Sequence, residues 1–164
     1  METNQQLLDA IVSYSEKSES VIALFLIGSQ ARQQQPADAY SDIDLVLVVE
    51  DPDHYLRSDE WLAEIGAHHI SFIEPTISGQ PERRILFDNA LDVDFVIVSG
   101  EQAEMILKSD TGMDVFRLGY RVLVNKADLR IPPLADDQSR PAPEQEAFTN
   151  AVNDFWYHAI WTGK

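Results

Sequence analysis

Apolar residues along the chain follow two rhythms. Leu7, Leu8, Ile11 and Val12 recur at helical spacing, and Thr3 with Gln6 fits a capping box, which predicts a first helix ending before Ser18-Glu19-Ser20. Val21 to Ile27 is a continuous apolar run of strand length closed by Gly28-Ser29, and Ile43 to Val49 is a second run, rich in Val and Leu. Arg57 to Ile65 reads as a short helix stopped by Gly66. Ile70 to Ile73 and Ile85 to Phe87 read as short strands, and Leu91 to Val98 as a stronger one. Glu101 to Lys108 reads as a helix and Tyr120 to Val124 as a strand or hairpin edge. A final helix is expected from about Glu144 to Ile160, with Phe148, Val152, Phe155, Trp156 and Ile160 on its apolar side. Pro132, Pro133, Pro141 and Pro143, with acids between them, mark a linker. A helix followed by strands interleaved with helices predicts a mixed α/β or α+β fold.

Composition narrows the function classes. The 164 residues carry 28 Asp plus Glu against 12 Lys plus Arg, a net charge of −16, with no cysteine. Such a balance argues against a phosphate-tracking nucleic-acid surface, which needs clustered bases. A hydrophobic fraction of 45% supplies a real core and argues against a disordered acidic chain. Absent cysteines remove disulfides and thiolate metal sites and suit a reducing cytoplasm. The polar N-terminus lacks the basic region of a secretory signal, and no apolar run approaches the ~20 residues of a membrane helix. Half of the net charge lies between Pro36 and Glu64, where nine acids accompany one base, Arg57. That stretch is either a solvated face or a place for cations, metal or substrate.

Three features in this order carry candidate chemistry: Gly28-Ser29 after the first strand, Asp42-Ile43-Asp44 opening the second, and Asp92-Val93-Asp94 inside the third long apolar strand. Strand side chains alternate, so Asp42 and Asp44 share a face while Ile43 enters the core. Neighbouring strands lie ~4.8 Å apart, so carboxylates from both can converge. Two unit charges at 4 Å repel by about 4 kcal/mol at an effective dielectric of 20. A hard divalent cation removes that penalty, and oxygen ligands select Mg²⁺. Two such ions, ~3.5–4 Å apart, can activate an attacking hydroxyl and stabilise a leaving phosphate. Asp92 is read as the outer, solvated member of its pair and left out of the metal site. Gly28 allows close approach of a triphosphate and Ser29 can donate to it. A short helix around Gln30-Ala31-Arg32 would aim N–H groups at the same phosphates, with Arg32 adding a charged contact. His68-His69, without ligand-spaced neighbours, is not read as a zinc site. Trp61 is read as core before a nucleotide-stacking platform, and Arg83-Arg84 as a surface pair before one that reaches ATP phosphates.

The ordered set resembles the nucleotidyltransferase superfamily that includes DNA polymerase β and the antibiotic adenylyltransferases. Leu26 to Arg32 and Tyr40 to Leu45 resemble the start of aminoglycoside 6-adenylyltransferases, the streptomycin-modifying branch. Asp59 to Leu62, Ile65-Gly66, Leu86-Phe87-Asp88, Val93-Asp94-Phe95, Pro132-Pro133 and Asn153 to Trp156 are similar to later landmarks of that family. The resemblance implies a nucleotidyltransferase-type mixed sheet with flanking helices over residues 1–130, a Pro-rich linker over 131–143, and the first helix of a helical C-terminal domain over 144–164. It implies transfer of an adenylyl group from Mg·ATP to an aminoglycoside hydroxyl, with release of pyrophosphate. Asp42 and Asp44 match the family's metal-binding pair. Asp94 matches its third carboxylate, a metal ligand or the group that helps deprotonate the hydroxyl. Gly28 and Ser29 match the phosphate-binding turn. Arg32 is displaced by one position, because Gln30 stands where the family often has Arg.

Family members continue into a helical domain that helps bind the aminoglycoside, whereas this chain ends at Lys164. The expectation is therefore a truncated version, or a site completed by self-association or a partner chain over the final helix. The implied partners are ATP and a cationic small-molecule acceptor in the cytoplasm, with no nucleic acid and no membrane. Two other readings compete: the same fold acting on another acceptor, and a catalytically reduced, antitoxin-like binding module. Three convergent carboxylates count against the latter.

Overall fold

The computed structural model describes residues 3–32, 37–38, 41–76, 79–109, 113, 116–117, 119–131 and 144–162. In chain order the described elements are α1 (Asn4–Lys17), β1 (Val21–Leu26), β2 (Ile43–Val49), α2 (Pro52–Arg57), β3 (His68–Pro75), β4 (Pro81–Phe87), β5 (Leu91–Ser99), α3 (Gly100–Lys108), β6 (Arg121–Asn125) and α4 (Gln145–Thr162). Short 3-10 turns occupy Ser29–Ala31, Glu60–Glu64 and Asp88–Ala90. The six strands form one sheet in the order β3-β4-β5-β2-β1-β6. Every neighbouring pair is antiparallel except β2 and β5, which run parallel at its centre. The mixed α/β class expected from the hydrophobic rhythm is therefore the observed one.

The apolar runs of β1 and β2 do not alternate because both faces of the central sheet are covered. On one face, Leu7, Leu8 and Ile11 of α1 join Tyr55 and Trp61 over Leu24, Leu26, Leu45, Leu47, Phe95 and Ile97. On the other, Ala103 and Leu107 of α3, with Met113 and Phe116, lie over Ala23, Phe25, Val46, Val48 and Val98. The α1 capping box forms as expected: the Thr3 hydroxyl accepts from the Gln6 N–H, and the Gln6 side chain accepts from the Thr3 N–H. Trp61 is buried in the core, as read.

The helix expected over Arg57 to Ile65 is divided. It begins earlier, with Asp51 as N-cap and Pro52 in the first turn, and stops at Arg57. The Trp61 indole N–H donates to the Tyr55 and Ser58 carbonyls at 3.3 and 3.1 Å. Those acceptors would serve the Asp59 and Leu62 N–H groups in a continuous helix, and Leu62 bonds instead to Asp59, giving the 3-10 turn. The two short strands expected after Gly66 lie within a longer β3–β4 hairpin.

The surface reading of Arg83-Arg84 is corrected. Successive strand residues point to opposite faces, and Arg83 turns inward, only 5% exposed. It donates to the Tyr55 carbonyl, the Leu56 carbonyl and the Ser71 hydroxyl, which fastens β4 to the end of α2.

The linker expected over 131–143 lies, apart from Ile131, outside the described residues, as does Tyr40. Helix α4 forms where expected, and its apolar side is open: Phe155 is 64% exposed and Trp156 58%. Among the described residues no helix is long and apolar enough to cross a membrane.

Candidate functional site

The face that α3 covers over Val46, Val48 and Val98 continues toward the start of β2. There the same alternation presents Asp44 from β2 and Asp94 from β5. Parallel pairing sets these two residues side by side, Asp44 against Asp94. Asp42, just before β2, joins them, and one carboxylate oxygen from each of the three lies within 4.8 Å of the others. Among the described residues this is the only group of His, Asp and Glu side chains so arranged. His68 and His69 instead approach Asp59 and Asp88 singly, at 3.7 and 3.1 Å.

Asp94 is only 4% exposed, and its Oδ1 has no hydrogen-bond partner among the described residues. Burial raises its pKa to about 7, Arg84 opposes the rise, and Glu82, Asp92 and Asp44 add to it. Burial likewise raises Asp44 to about 6, helped by Asp42 and Glu82 and countered by Arg32 and Arg84. Carboxylates so crowded hold on to protons until a cation compensates them. Three oxygen donors, one of them buried without a partner, suit a hard divalent ion such as Mg²⁺.

The turn after β1 backs onto this group. The Ile27 N–H donates to the Asp44 carbonyl at 3.0 Å, which brings Gly28 against the Asp44 carboxylate. Gly28 has φ +67° and ψ −152°. The helix expected after it is a single 3-10 turn, in which the Ala31 and Arg32 N–H groups bond to the Gly28 and Ser29 carbonyls. Those two donors are used inside the turn and do not face a ligand. The Ser29 hydroxyl and the Arg32 Nε are buried without a hydrogen-bond partner among the described residues. The turn that carries these two donors lies against Asp44, the neighbour of Asp94 on the next strand. The Arg32 charge lowers the pKa of Asp44. Asp92 is exposed, in line with its reading as the outer acid, and its pKa is raised by partial burial and by Asp42.

Sequence reasoning missed Glu82 and singled out Arg84 only as half of a basic pair, preferring a surface role to a reach toward phosphates. Both lie on the carboxylate face of β4, and the signal was the alternation of Glu82, Arg84 and Leu86 with Arg83, Ile85 and Phe87. Only the strand register shows that this row meets Asp94.

Residues 1–164 match the family described as Streptomycin adenylyltransferase. The chain belongs to this family. Among relatives of known name, it is 20% identical to an aminoglycoside 6-adenylyltransferase of Bacillus subtilis (strain 168), over 100% of this chain and 59% of that protein. It is 24% identical to an aminoglycoside 6-adenylyltransferase of Campylobacter jejuni, over 95% of this chain and 55% of that protein. The chain therefore spans little more than half the length of these relatives. A crystal structure of an aminoglycoside 6-adenyltransferase from Bacillus subtilis shares the fold, with a TM-score of 0.50 and 17% identity over 66% of this chain and 39% of that one. The family's fold and this chain's sheet agree.

Proposed function

We propose that the chain carries the nucleotide-handling half of an aminoglycoside adenylyltransferase. The reaction moves an adenylyl group from Mg·ATP to a hydroxyl of a streptomycin-like acceptor and releases pyrophosphate, in the cytoplasm. The observation that carries this reading is the convergence of Asp42, Asp44 and Asp94 beside a turn with two unused buried donors. Family membership over residues 1–164 supports the reaction class.

Asp42, Asp44 and Asp94 would hold Mg²⁺, which when bound stabilises charge on the phosphates and favours the alkoxide of the attacking hydroxyl. Gly28, with no Cβ, lets the turn lie against the Asp44 carboxylate, so that a phosphate held at the cation would meet the turn. The Ser29 hydroxyl and the Arg32 guanidinium donate to its oxygens, which are anionic and strengthen such bonds. The acceptor hydroxyl attacks the α-phosphorus, a new P–O bond forms, and the bond to the β-phosphate oxygen breaks. Asp94, ionised once a cation compensates the cluster, would take the hydroxyl proton. The surrounding acids draw a polycationic acceptor toward the site.

Pyrophosphate release with ATP, Mg²⁺ and streptomycin tests this directly. Asp42→Asn or Asp44→Asn is expected to lower turnover by at least about a hundredfold, beyond the loss typical of groups that only support a ligand. Turnover by either variant equal to wild type would overturn the assignment. A panel of aminoglycosides with labelled ATP identifies the acceptor.

A further inference from the structure

Sheet register sets four side chains in a row across four strands: Phe72 of β3, Arg84 of β4, Asp94 of β5 and Asp44 of β2. Paired residues share a face, so the Arg84 guanidinium stands on the carboxylate face. Its Nη2 lies 3.4 Å from Asp94 Oδ2, and its Nε lies 2.8 Å from Glu74 Oε1 and 3.5 Å from Glu82 Oε2, ion-pair contacts in which Nε is not aligned for a hydrogen bond. Glu74 and Glu82 are themselves directly opposed on neighbouring strands, a like-charge pair that sheets disfavour and this guanidinium relieves. The Asp94 carboxylate is consequently divided. Oδ2 faces Arg84, while Oδ1 is buried without a hydrogen-bond partner.

We propose that Arg84 is a positioning residue: anchored on Glu74 and Glu82, it holds Asp94 Oδ2 and so presents Oδ1, with Asp42 and Asp44, to a divalent cation. The inference rests on the metal reading given above. Two consequences of removing Arg84 oppose each other. Loss of a nearby positive charge would tighten cation binding. Loss of the tether would let Asp94 turn, and outer partners of metal ligands are worth about 10–100-fold in affinity. The Arg84 side chain is 42% exposed, so water screens its charge, whereas the Asp94 side chain is 5% exposed and has no solvent to reorient it. Orientation therefore outweighs charge, and the net effect is weaker binding.

Mn²⁺ binding to the full chain without nucleotide, followed by electron paramagnetic resonance, reads this sign. Arg84→Met is expected to weaken Mn²⁺ binding about 10–100-fold. Arg84→Lys keeps the charge but lacks the planar fork that spans Glu74 and Asp94, so it recovers only part of the loss. Arg57→Met, which removes an exposed charge paired with Asp53, leaves the affinity unchanged. Binding by Arg84→Met as tight as wild type, or tighter, overturns the proposal, as does full recovery in Arg84→Lys. Should Arg84→Met fail to fold, Arg84→Lys alone reads the loss. Absence of Mn²⁺ binding in the wild type would overturn the metal reading and this inference together, a result distinct from binding that Arg84 does not affect.

Discussion

Gly28 sits in a backbone region that only glycine enters readily, and a Cβ there would lie 1.8 Å from Asp44 Oδ2. The turn and the Asp44 carboxylate therefore occupy adjoining space. Gly28→Ala is expected to cost about 1–3 kcal/mol of stability from the backbone alone, and to push the Asp44 carboxylate away from Asp42 and Asp94. Thermal melting reads the first effect and Mn²⁺ binding the second. Gly79→Ala separates them, because Gly79 also has a positive φ, +82°, but nothing within 4 Å of its Cβ position. It should lose stability and keep its metal affinity. The sequence made Gly28 legible as the end of a strand, and Asp42, Asp44 and Asp94 legible as acids sharing a strand face. It could not reveal that Gly28 abuts Asp44, because that contact depends on how β1 and β2 align.

Strand β4 shows the same limit at the scale of an element. Its alternation was readable, yet charged residues on both faces made Arg83 and Arg84 look like one surface pair. The structure separates them, Arg83 into the core beneath α2 and Arg84 onto the site face. What decides Arg83 is a set of carbonyls left free at the end of a helix that the Trp61 indole interrupts. Arg83→Met keeps the apolar stem but orphans the Leu56 carbonyl and the Ser71 hydroxyl, each a loss of about 1–3 kcal/mol if no water replaces the guanidinium. Urea denaturation should show the midpoint falling with an unchanged slope. An unchanged midpoint would mean that β4 and α2 hold together without this staple. Helix α4 was legible for the opposite reason: its pattern is local, set by side chains along one chain segment, and its boundaries came out within two residues of expectation.

For the whole molecule the consequence is electrostatic. Asp44 and Asp94 rise from an ordinary 3.8 to about 6 and about 7 in the folded chain. Below pH 3.8 both states hold these protons. Between there and about pH 7 the folded chain keeps protons that the unfolded chain has released, so metal-free stability falls as pH rises. The metal-free protein should therefore melt higher near pH 5 than near pH 8. The general repulsion within a chain of net charge −16 acts in the same direction, so Asp94→Asn isolates the site's share. That variant should narrow the gap by roughly 2–4 °C for each kcal/mol the carboxylate contributes, and an unchanged gap would contradict the assigned shift. Mg²⁺ should raise the wild-type melting temperature at pH 8 and hardly affect the variant.

The single parallel pairing in the sheet also constrains the order of events during folding. β2 and β5 are separated in sequence by α2 and the whole β3–β4 hairpin, so Asp44 and Asp94 become neighbours only after that intervening segment has closed as a loop. Such distant pairing is paid in entropy before its contacts repay it, and it forms late. Asp42 and Asp44 can offer a cation two ligands early, but the third arrives only with the centre of the sheet. If the three carboxylates hold a cation as proposed, its capture reports on completed folding, and a nascent or partly unfolded chain lacks the full site.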